Sequence, residues 1–244
     1  NTITEKLIKT FWPGPLTLVL PKKEQVPDIV TAGLETIAVR MPENEIALSI
    51  ISHAETPISA PSANKFSSLS PTQALHVYEQ LGDMPDMIID GGTTKIGVES
   101  TIIKVHRDSI TLLRPGGIPI ESLHKIVKNI HFADSHSHLP ESPGQLPFHY
   151  SPSKPVIIRK RAEIDISENK AAFLFFTAPE IKPINTYYIL SETGNMREAA
   201  ANLFSYLHLL DKCDADFIIA EELPTKGLGH AIMDRLLKAS NRYS

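Results

Sequence analysis

The sequence has almost no cysteine, no long apolar run and no excess of basic residues. Its single cysteine, Cys213, excludes a disulfide framework and a zinc site built from several thiolates. One free thiol is typical of a reducing compartment, so we expect a cytoplasmic protein. No apolar stretch approaches the ~20 residues of a membrane-spanning helix. With 24 Lys and Arg against 28 Asp and Glu, the net charge is −4, which argues against a surface for duplex nucleic acid.

Common catalytic sequence motifs are absent as well. The sequence contains no GxxxxGK[ST] phosphate loop, no GxGxxG, no HExxH and no GxSxG. A cluster of histidines, His131, His136 and His138, has no fourth ligand spaced near it, which favours a solvated loop over a metal site. Cys213 lies at the polar end of a predicted helix, and we assign it no nucleophilic role. We therefore predict neither a metal site nor a covalent catalytic residue.

Proline outnumbers glycine by 19 to 12, the reverse of average usage. Much of the excess lies in one stretch, with prolines at positions 140, 143, 147, 152 and 155. Proline at this density predicts an extended connector. We therefore predict three parts: a first domain over residues 1–132, a linker over 133–155 and a second domain over 156–244.

Apolar periodicity predicts an α/β structure for both domains. In the first domain it predicts helices at 44–54, 71–82 and 118–130, and strands at 16–20, 36–40, 57–60, 87–90, 100–106 and 111–113. The second helix would begin with a capping box, Ser70-Pro71-Thr72-Gln73. In the second domain it predicts strands at 156–159, 171–176, 187–190 and 217–220, with helices at 196–210 and 228–239. That order indicates a small, open, Rossmann-like sheet.

Polar side chains follow several predicted strands. Ser62 and Asn64 lie in one such loop, and Ser70 opens a helix whose free N–H groups favour an anion. The alternative is that these residues only form turns and a cap. Arg40 and Arg114 both end strands beside proline, where a guanidinium pairs with a carboxylate or phosphate, or forms only a surface ion pair. Two arginines with several hydroxyls and no nucleophile indicate binding of a nucleotide and a small anionic substrate.

Five ordered motifs resemble those of the Sua5/YrdC family. They are FWPGPLT (11–17), TIAVRMP (36–42), SAPSAN followed by SPT (59–64 and 70–72), GVESTII (97–103) and LLRPGGI (112–118). Later, SPGQLPFHYSP and GLGHAIMDRLLKAS resemble the linker and C-terminal domain of the longer, Sua5-type branch. The resemblance covers nearly the whole chain. It implies a YrdC-like twisted mixed sheet with helices, incomplete at its N-terminus, plus a smaller Rossmann-like α/β C-terminal domain.

The resemblance implies a nucleotidyltransferase. The family makes threonylcarbamoyl-AMP and pyrophosphate from L-threonine, bicarbonate and ATP with Mg²⁺, and the product feeds tRNA threonylcarbamoyladenosine modification through a downstream transferase complex. By motif, threonine contacts are implied at Arg40, Ala60 and Ser100. ATP contacts are implied at Thr36, Ser62, Asn64, Ser70, Arg114, His149 and Tyr150. The linker departs from the family pattern, because Gln145-Leu146-Pro147 stands where a Met-Lys/Arg-Tyr stretch is common.

The family also has a preceding segment with a PTET-type threonine loop and a Lys-x-Arg pair that holds the triphosphate. Residues 1–11 contain neither, so we expect a fragment of a complete synthase, inactive by itself. Two alternatives stay open. One is an RNA-binding module of the same fold without catalysis, although the negative charge and the lack of aromatic–basic clusters predict no strong nucleic-acid binding. The other is a relative that transfers a carbamoyl group to a different acceptor.

Overall fold

The computed structural model describes residues 2–133 and 149–241. The middle of the predicted linker, with His136 and His138, lies outside these described residues. The described residues form two compact units. Unit 1 contains residues 2–61 and 99–133, and unit 2 contains residues 62–98 and 149–241.

The described residues up to 133 contain five helices and five strands. In chain order they are α1 (Thr2–Phe11), β1 (Leu16–Pro21), α2 (Asp28–Thr31), β2 (Thr36–Val39), α3 (Glu45–Ala54), α4 (Ala74–Leu81), β3 (Thr101–Val105), β4 (Ile110–Arg114), α5 (Ile120–His124) and β5 (Ile130–Phe132). Helix α4 belongs to unit 2 and the others to unit 1.

Unit 1 is built on a mixed five-stranded sheet in the order β2-β1-β3-β4-β5. Strand β1 pairs with β3 in parallel and with β2 antiparallel, while β4 is antiparallel to β3 and parallel to β5. The interior strand β1 is buried from Leu16 to Val19, as expected for a strand with neighbours on both sides. Its core also contains Leu7, Ile103, Ile110, Leu112, Leu123 and Val127. The predicted mixed sheet is confirmed.

Unit 2 is a parallel α/β sheet in the order β6-β9-β7-β8. Its elements after residue 149 are β6 (Val156–Arg159), β7 (Ala171–Phe175), β8 (Tyr187–Ile189), α6 (Met196–Lys212), β9 (Phe217–Glu221) and α7 (Gly229–Ser240). Strand β7 is buried at every residue. One of its faces packs in the cluster that contains α6 and α7, and the other face packs against Ile164 and Ile166. Asn195 caps α6 by accepting hydrogen bonds from the N–H groups of Arg197 and Glu198. The Rossmann-like second domain is confirmed.

Residues 62–98 pack within unit 2, whereas the domain boundaries predicted from the sequence assigned them to the first domain. The apolar residues Leu69 and Val98 belong to the same buried cluster as Phe204 and Leu207 of α6. Local periodicity shows which face of a segment is apolar, but not which core that face joins. The domain boundaries themselves stay a prediction.

Gly97 packs directly against the backbone of α6. A Cβ at Gly97 would lie 2.2 Å from the carbonyl oxygen of Ala200, and the residue has φ of +75°. We expect Gly97→Ala to lower the free energy of unfolding by about 3 kcal/mol, combining steric overlap with left-handed strain. Urea unfolding followed by circular dichroism measures this loss.

Gly92 is the matched control for that substitution. It has a similar φ of +78°, but an added Cβ would meet no atom within 4 Å. We expect Gly92→Ala to cost only about 1 kcal/mol, the backbone strain alone. Equal losses in the two variants would contradict the close packing of residue 97 against α6.

Four local predictions are wrong. Residues 57–60 and 87–90 are described and form no strand, because neither segment finds a partner strand among the described residues. The helix predicted over 118–130 is limited to α5, since the chain then turns and Ile130 pairs with Ile110 of β4. The capping box does not form either: the helix begins at Ala74 and the N-cap is Gln73, without a side-chain capping bond.

Within residues 2–133 and 149–241, no helix has the length and hydropathy needed to cross a bilayer.

Candidate active site

Arg114 is the centre of a hydrogen-bonded cluster in unit 1. It ends β4 and is only 7% exposed. Its Nε and Nη2 donate to the carbonyl oxygen of Ser100 at 3.2 and 3.0 Å, and Nη2 also donates to Ser100 Oγ at 3.3 Å. Ser100 Oγ in turn lies 2.7 Å from Thr17 Oγ1. The guanidinium is therefore held in a fixed orientation at the start of β3.

The close packing around residue 116 explains why the turn after Arg114 contains glycine there. A Cβ at this position would lie 2.4 Å from the carbonyl oxygen of Glu99, the carbonyl carbon of Ser100 and the amide nitrogen of Thr101. Only glycine allows the two backbones to approach this closely. The RPGG turn (114–117) thus packs directly against the EST segment (99–101).

Arg40 follows β2 and lies in the electrostatic field of Arg114. Loss of hydration lowers the pKa of Arg40, and the positive charge of Arg114 lowers this pKa further. The side chain is exposed to solvent, and a guanidinium keeps its proton near neutral pH, so Arg40 stays charged. Two charged guanidinium groups close enough to repel each other create a positive potential that favours an anion.

The remaining predicted site residues of unit 1 are Thr36 and Ala60. Thr36 begins β2 in register with Pro21 of β1, and it is half-buried. Ala60 lies in an exposed loop. Sequence reasoning did not assign a role to Thr17, which the structure places against Ser100. Its position at the end of the FWPGPLT motif was the available signal.

In unit 2, Asn64 shapes the loop that follows the SAPSAN motif. Its Nδ2 donates to the carbonyl oxygens of Lys65 and Ser68, at 3.2 and 3.1 Å. Asn64 thus does form a turn, as the simpler interpretation predicted. Ser62 is exposed and Ser70 is half-buried.

The segment His149–Ser151 pairs with the same loop. The amide of Ser151 donates to the carbonyl oxygen of Ser67 at 2.8 Å, and Ser68 and Ser151 form an isolated parallel bridge. Tyr150 is 2% exposed, and its ring lies between Phe204 and Arg235. The structure therefore brings the predicted residues Asn64, His149 and Tyr150 into one region of unit 2.

Arg235 is a functional candidate that sequence reasoning missed. It is fully buried, its Cζ lies 5.0 Å from the centroid of the Tyr150 ring, and its Nη1 donates to Asp234 Oδ2 at 2.6 Å. A cation over an aromatic face stabilises the ring's position. The only signal in the sequence was an arginine on the apolar face of α7.

Among the residues that the structure describes, no three His, Cys, Asp or Glu side chains are grouped so as to hold a metal ion. The charges that the site offers to ligands are those of its arginines.

Two family profiles match the chain. The Sua5/YciO/YrdC profile, described as telomere recombination, matches residues 1–116, and the profile of the threonylcarbamoyl-AMP synthase C-terminal domain matches residues 118–241. The chain is 43% identical to a threonylcarbamoyl-AMP synthase of Pyrococcus abyssi, over 97% of this chain and 73% of that protein. It is 40% identical to the threonylcarbamoyl-AMP synthase of Bacillus subtilis, over 96% of this chain and 72% of that protein.

Solved structures give the same result. A crystal structure of P. abyssi Sua5 complexed with L-threonine has a TM-score of 0.91 and 41% identity, covering 99% of this chain and 74% of that one. A P. abyssi Sua5 variant, with a histidine and the following tyrosine replaced by alanine, has a TM-score of 0.88 and 38% identity, covering 99% and 73%. The chain therefore belongs to the Sua5/YrdC family of threonylcarbamoyl-AMP synthases, nucleotidyltransferase-type enzymes, and to its Sua5-type branch with a C-terminal domain.

Proposed function

We propose that this protein forms threonylcarbamoyl-AMP and pyrophosphate from L-threonine, bicarbonate and ATP. The observation that carries the proposal is the Arg114–Ser100–Thr17 cluster with Arg40 beside it. A fixed guanidinium, a second charged guanidinium and hydroxyl groups are the groups that anionic, hydroxyl-bearing substrates require. The names of the relatives supply the identity of those substrates.

Threonine binding is assigned to Arg40, Ser100 and the backbone at Ala60. The guanidinium of Arg40 reaches solvent and carries a full charge, so it is suited to pair with the carboxylate of a free amino acid. Ser100 Oγ is held by Thr17 and Arg114, so its position is fixed before a ligand arrives. A fixed hydroxyl loses less conformational entropy when it binds.

ATP contacts are assigned to Thr36 and Arg114 in unit 1. In unit 2 they are assigned to Ser62, Asn64, Ser70, His149 and Tyr150. Mg²⁺ enters with ATP as part of the substrate, since Mg²⁺ is commonly held by substrate phosphates with few protein ligands. Because the ring of Tyr150 is buried, its side chain contributes by anchoring the segment that carries His149.

The proposed chemistry needs no covalent enzyme intermediate. The amine of threonine attacks the carbon of bicarbonate, and the loss of water then leaves a carbamate. A carbamate oxygen attacks the α-phosphorus of ATP, and the bond from that phosphorus to pyrophosphate breaks. The residues of the chain supply orientation and charge neutralisation, the main sources of rate in transfer to phosphorus. We further propose that the reaction occurs in the cytoplasm and that a tRNA threonylcarbamoyl transferase complex consumes the product.

Exchange of radiolabelled pyrophosphate into ATP by the natural protein that contains this sequence tests this function. We expect exchange to require both threonine and bicarbonate. Valine has the shape of threonine without its hydroxyl, and we expect it to support exchange at least ~100-fold less efficiently, because a site built for a hydroxyl rejects its apolar isostere. Exchange that proceeds without an amino acid, or equally well with valine, would contradict the proposal. Mass spectrometry of the product distinguishes transfer to another acceptor.

A further inference from the structure

Two buried histidines stack on each other inside unit 2. His76 on α4 and His208 on α6 have ring centroids 3.8 Å apart and planes inclined by 24°. They are 5% and 8% exposed. Two imidazoles at this distance, shielded from water, strongly disfavour a state in which both carry charge.

The hydrogen bonds of the stack determine its protonation. The amide N–H of Thr72 donates to His76 Nδ1 at 3.2 Å, so this nitrogen must be unprotonated. On the other ring, His208 Nε2 donates to the carbonyl oxygen of Ser70 at 3.1 Å. The hydroxyl of Thr72 also lies 2.9 Å from Ser205 Oγ of α6. Backbone groups at both ends of the segment 70–72 are therefore bound by the stack.

The segment before α4 is held without the capping box that the sequence Ser-Pro-Thr-Gln predicts. The helix begins at Ala74, so Thr72 lies before its N-cap, and the amide of Thr72 donates to the ring of His76. The conformation of residues 70–72 thus depends on α6, which lies within the range of the C-terminal domain profile.

We propose that His76 and His208 are positioning residues, which hold the segment at Ser70 in its ligand-binding conformation only while both rings are neutral. This inference rests on the proposed ATP contact at Ser70. It gives the C-terminal domain a direct part in nucleotide binding, because α6 supplies the ring that fixes the Ser70 carbonyl.

The charged groups around the stack come from both helices. On α4, Glu79 faces it, and on α6 the charged neighbours are Lys212 and Asp211. Lys212 Nζ lies 2.6 and 2.7 Å from the two carboxylate oxygens of Glu79, so these charges largely offset each other. Burial therefore dominates. It lowers the pKa of His76 from the usual 6.5 to about 4, helped by His208, and it also lowers the pKa of His208.

The sign of the pH effect follows from these shifts. A released segment has histidines of ordinary pKa, so it binds protons more readily than the held segment does. The held conformation is fully favoured above pH ~6.5 and loses stability as the pH falls from there toward about 4. Acid should therefore loosen residues 70–72 before it unfolds the protein.

His208→Phe and His208→Gln separate positioning from mere packing. Phenylalanine keeps the stacked ring and loses the N–H donor, whereas glutamine restores a donor. We expect His208→Phe to raise the dissociation constant of ATP about tenfold, the effect of one lost hydrogen bond of ~1.4 kcal/mol. We expect the same substitution to reduce amide-exchange protection at Thr72, and His208→Gln to recover most of both. His53, an exposed histidine of α3, provides the control: His53→Phe should change neither.

The pH dependence is the second readout. We expect the amide protection of Ser70, Thr72 and Gln73, corrected for intrinsic exchange, to fall in the natural chain between about pH 6.5 and pH 4. We expect it to fall less in His208→Gln, where one titrating ring is gone. Unchanged protection and ATP affinity in His208→Phe would overturn the inference. If the natural chain failed to bind ATP, the proposed function would be wrong, while protection at Thr72 would still decide whether the stack positions the segment.

Discussion

Replacement of Arg114 by alanine is expected to raise the dissociation constant of ATP about 100-fold, the loss of a charge-assisted pairing of roughly 2–3 kcal/mol. The substitution removes the cation. It also removes the two N–H groups that now donate to the carbonyl oxygen of Ser100. Calorimetric titration with ATP measures the affinity. Urea unfolding measures the accompanying loss of stability, which we expect to be about 2 kcal/mol.

Arg114→Lys sharpens the same experiment. Lysine keeps the charge, but its single ammonium group does not reproduce a fork that donates from two nitrogens. We therefore expect it to recover only a small part of the ATP affinity. Arg107 is exposed on the turn between β3 and β4, and Arg107→Ala is expected to leave ATP binding unchanged. If Arg114→Ala bound ATP with normal affinity, Arg114 would not be an ATP contact.

Replacement of Arg40 by alanine is expected to weaken threonine binding about 100-fold and to change ATP binding by less than about threefold. The reason is that Arg40 offers a charged, solvent-accessible guanidinium to a carboxylate, an interaction worth roughly 2–3 kcal/mol when it is directed and partly shielded. Calorimetric titrations with threonine and with ATP separate the two effects. Arg40→Lys should restore part of the threonine affinity, because a point charge remains.

The stability of Arg40→Ala provides an internal check on the site's electrostatics. Arg40 and Arg114 repel each other, so removing one charge should leave the stability against urea unchanged or slightly increased, most visibly at low salt. A clear loss of stability would show that Arg40 has a structural role. In that case, a loss of threonine binding would not by itself identify a contact with the substrate.

Much of the fold could be predicted from local pattern alone. The apolar residues that recur at helical spacing in α6, among them Leu203, Phe204 and Leu207, are buried, because a 3.6-residue period shows which face of a helix packs against the core. The parallel strands β7 and β9 were recognisable as continuous apolar runs, because a buried parallel strand has apolar residues on both of its faces. Segments 57–60 and 87–90 also have strand-like composition, but a strand requires a partner, and the sequence does not show whether one is present.

The candidate site was predictable only where its parts are close in sequence. Ser100 and Arg114 are 14 residues apart and meet through the antiparallel pairing of β3 and β4. Thr17 reaches Ser100 across 83 residues, and His208 reaches Ser70 across 138. Such contacts depend on which strands and helices become neighbours, a property of the whole chain. His208 therefore carried no recognisable signal within its own helix, and the signal for Arg235 was only that an arginine stands on the apolar face of α7.

Unit 2 consists of two stretches that are far apart in the sequence, so its parts are synthesised at different times. Residues 62–98 leave the ribosome long before α6 and α7, the helices against which Leu69 and Val98 are buried. Until then these apolar side chains have no core to join, and non-local contacts of this kind form slowly. The segment that carries Ser70 consequently reaches its final conformation only after nearly the last helix has been translated. A nascent chain arrested before α7 would expose one of its own proposed substrate-binding motifs to chaperones and proteases.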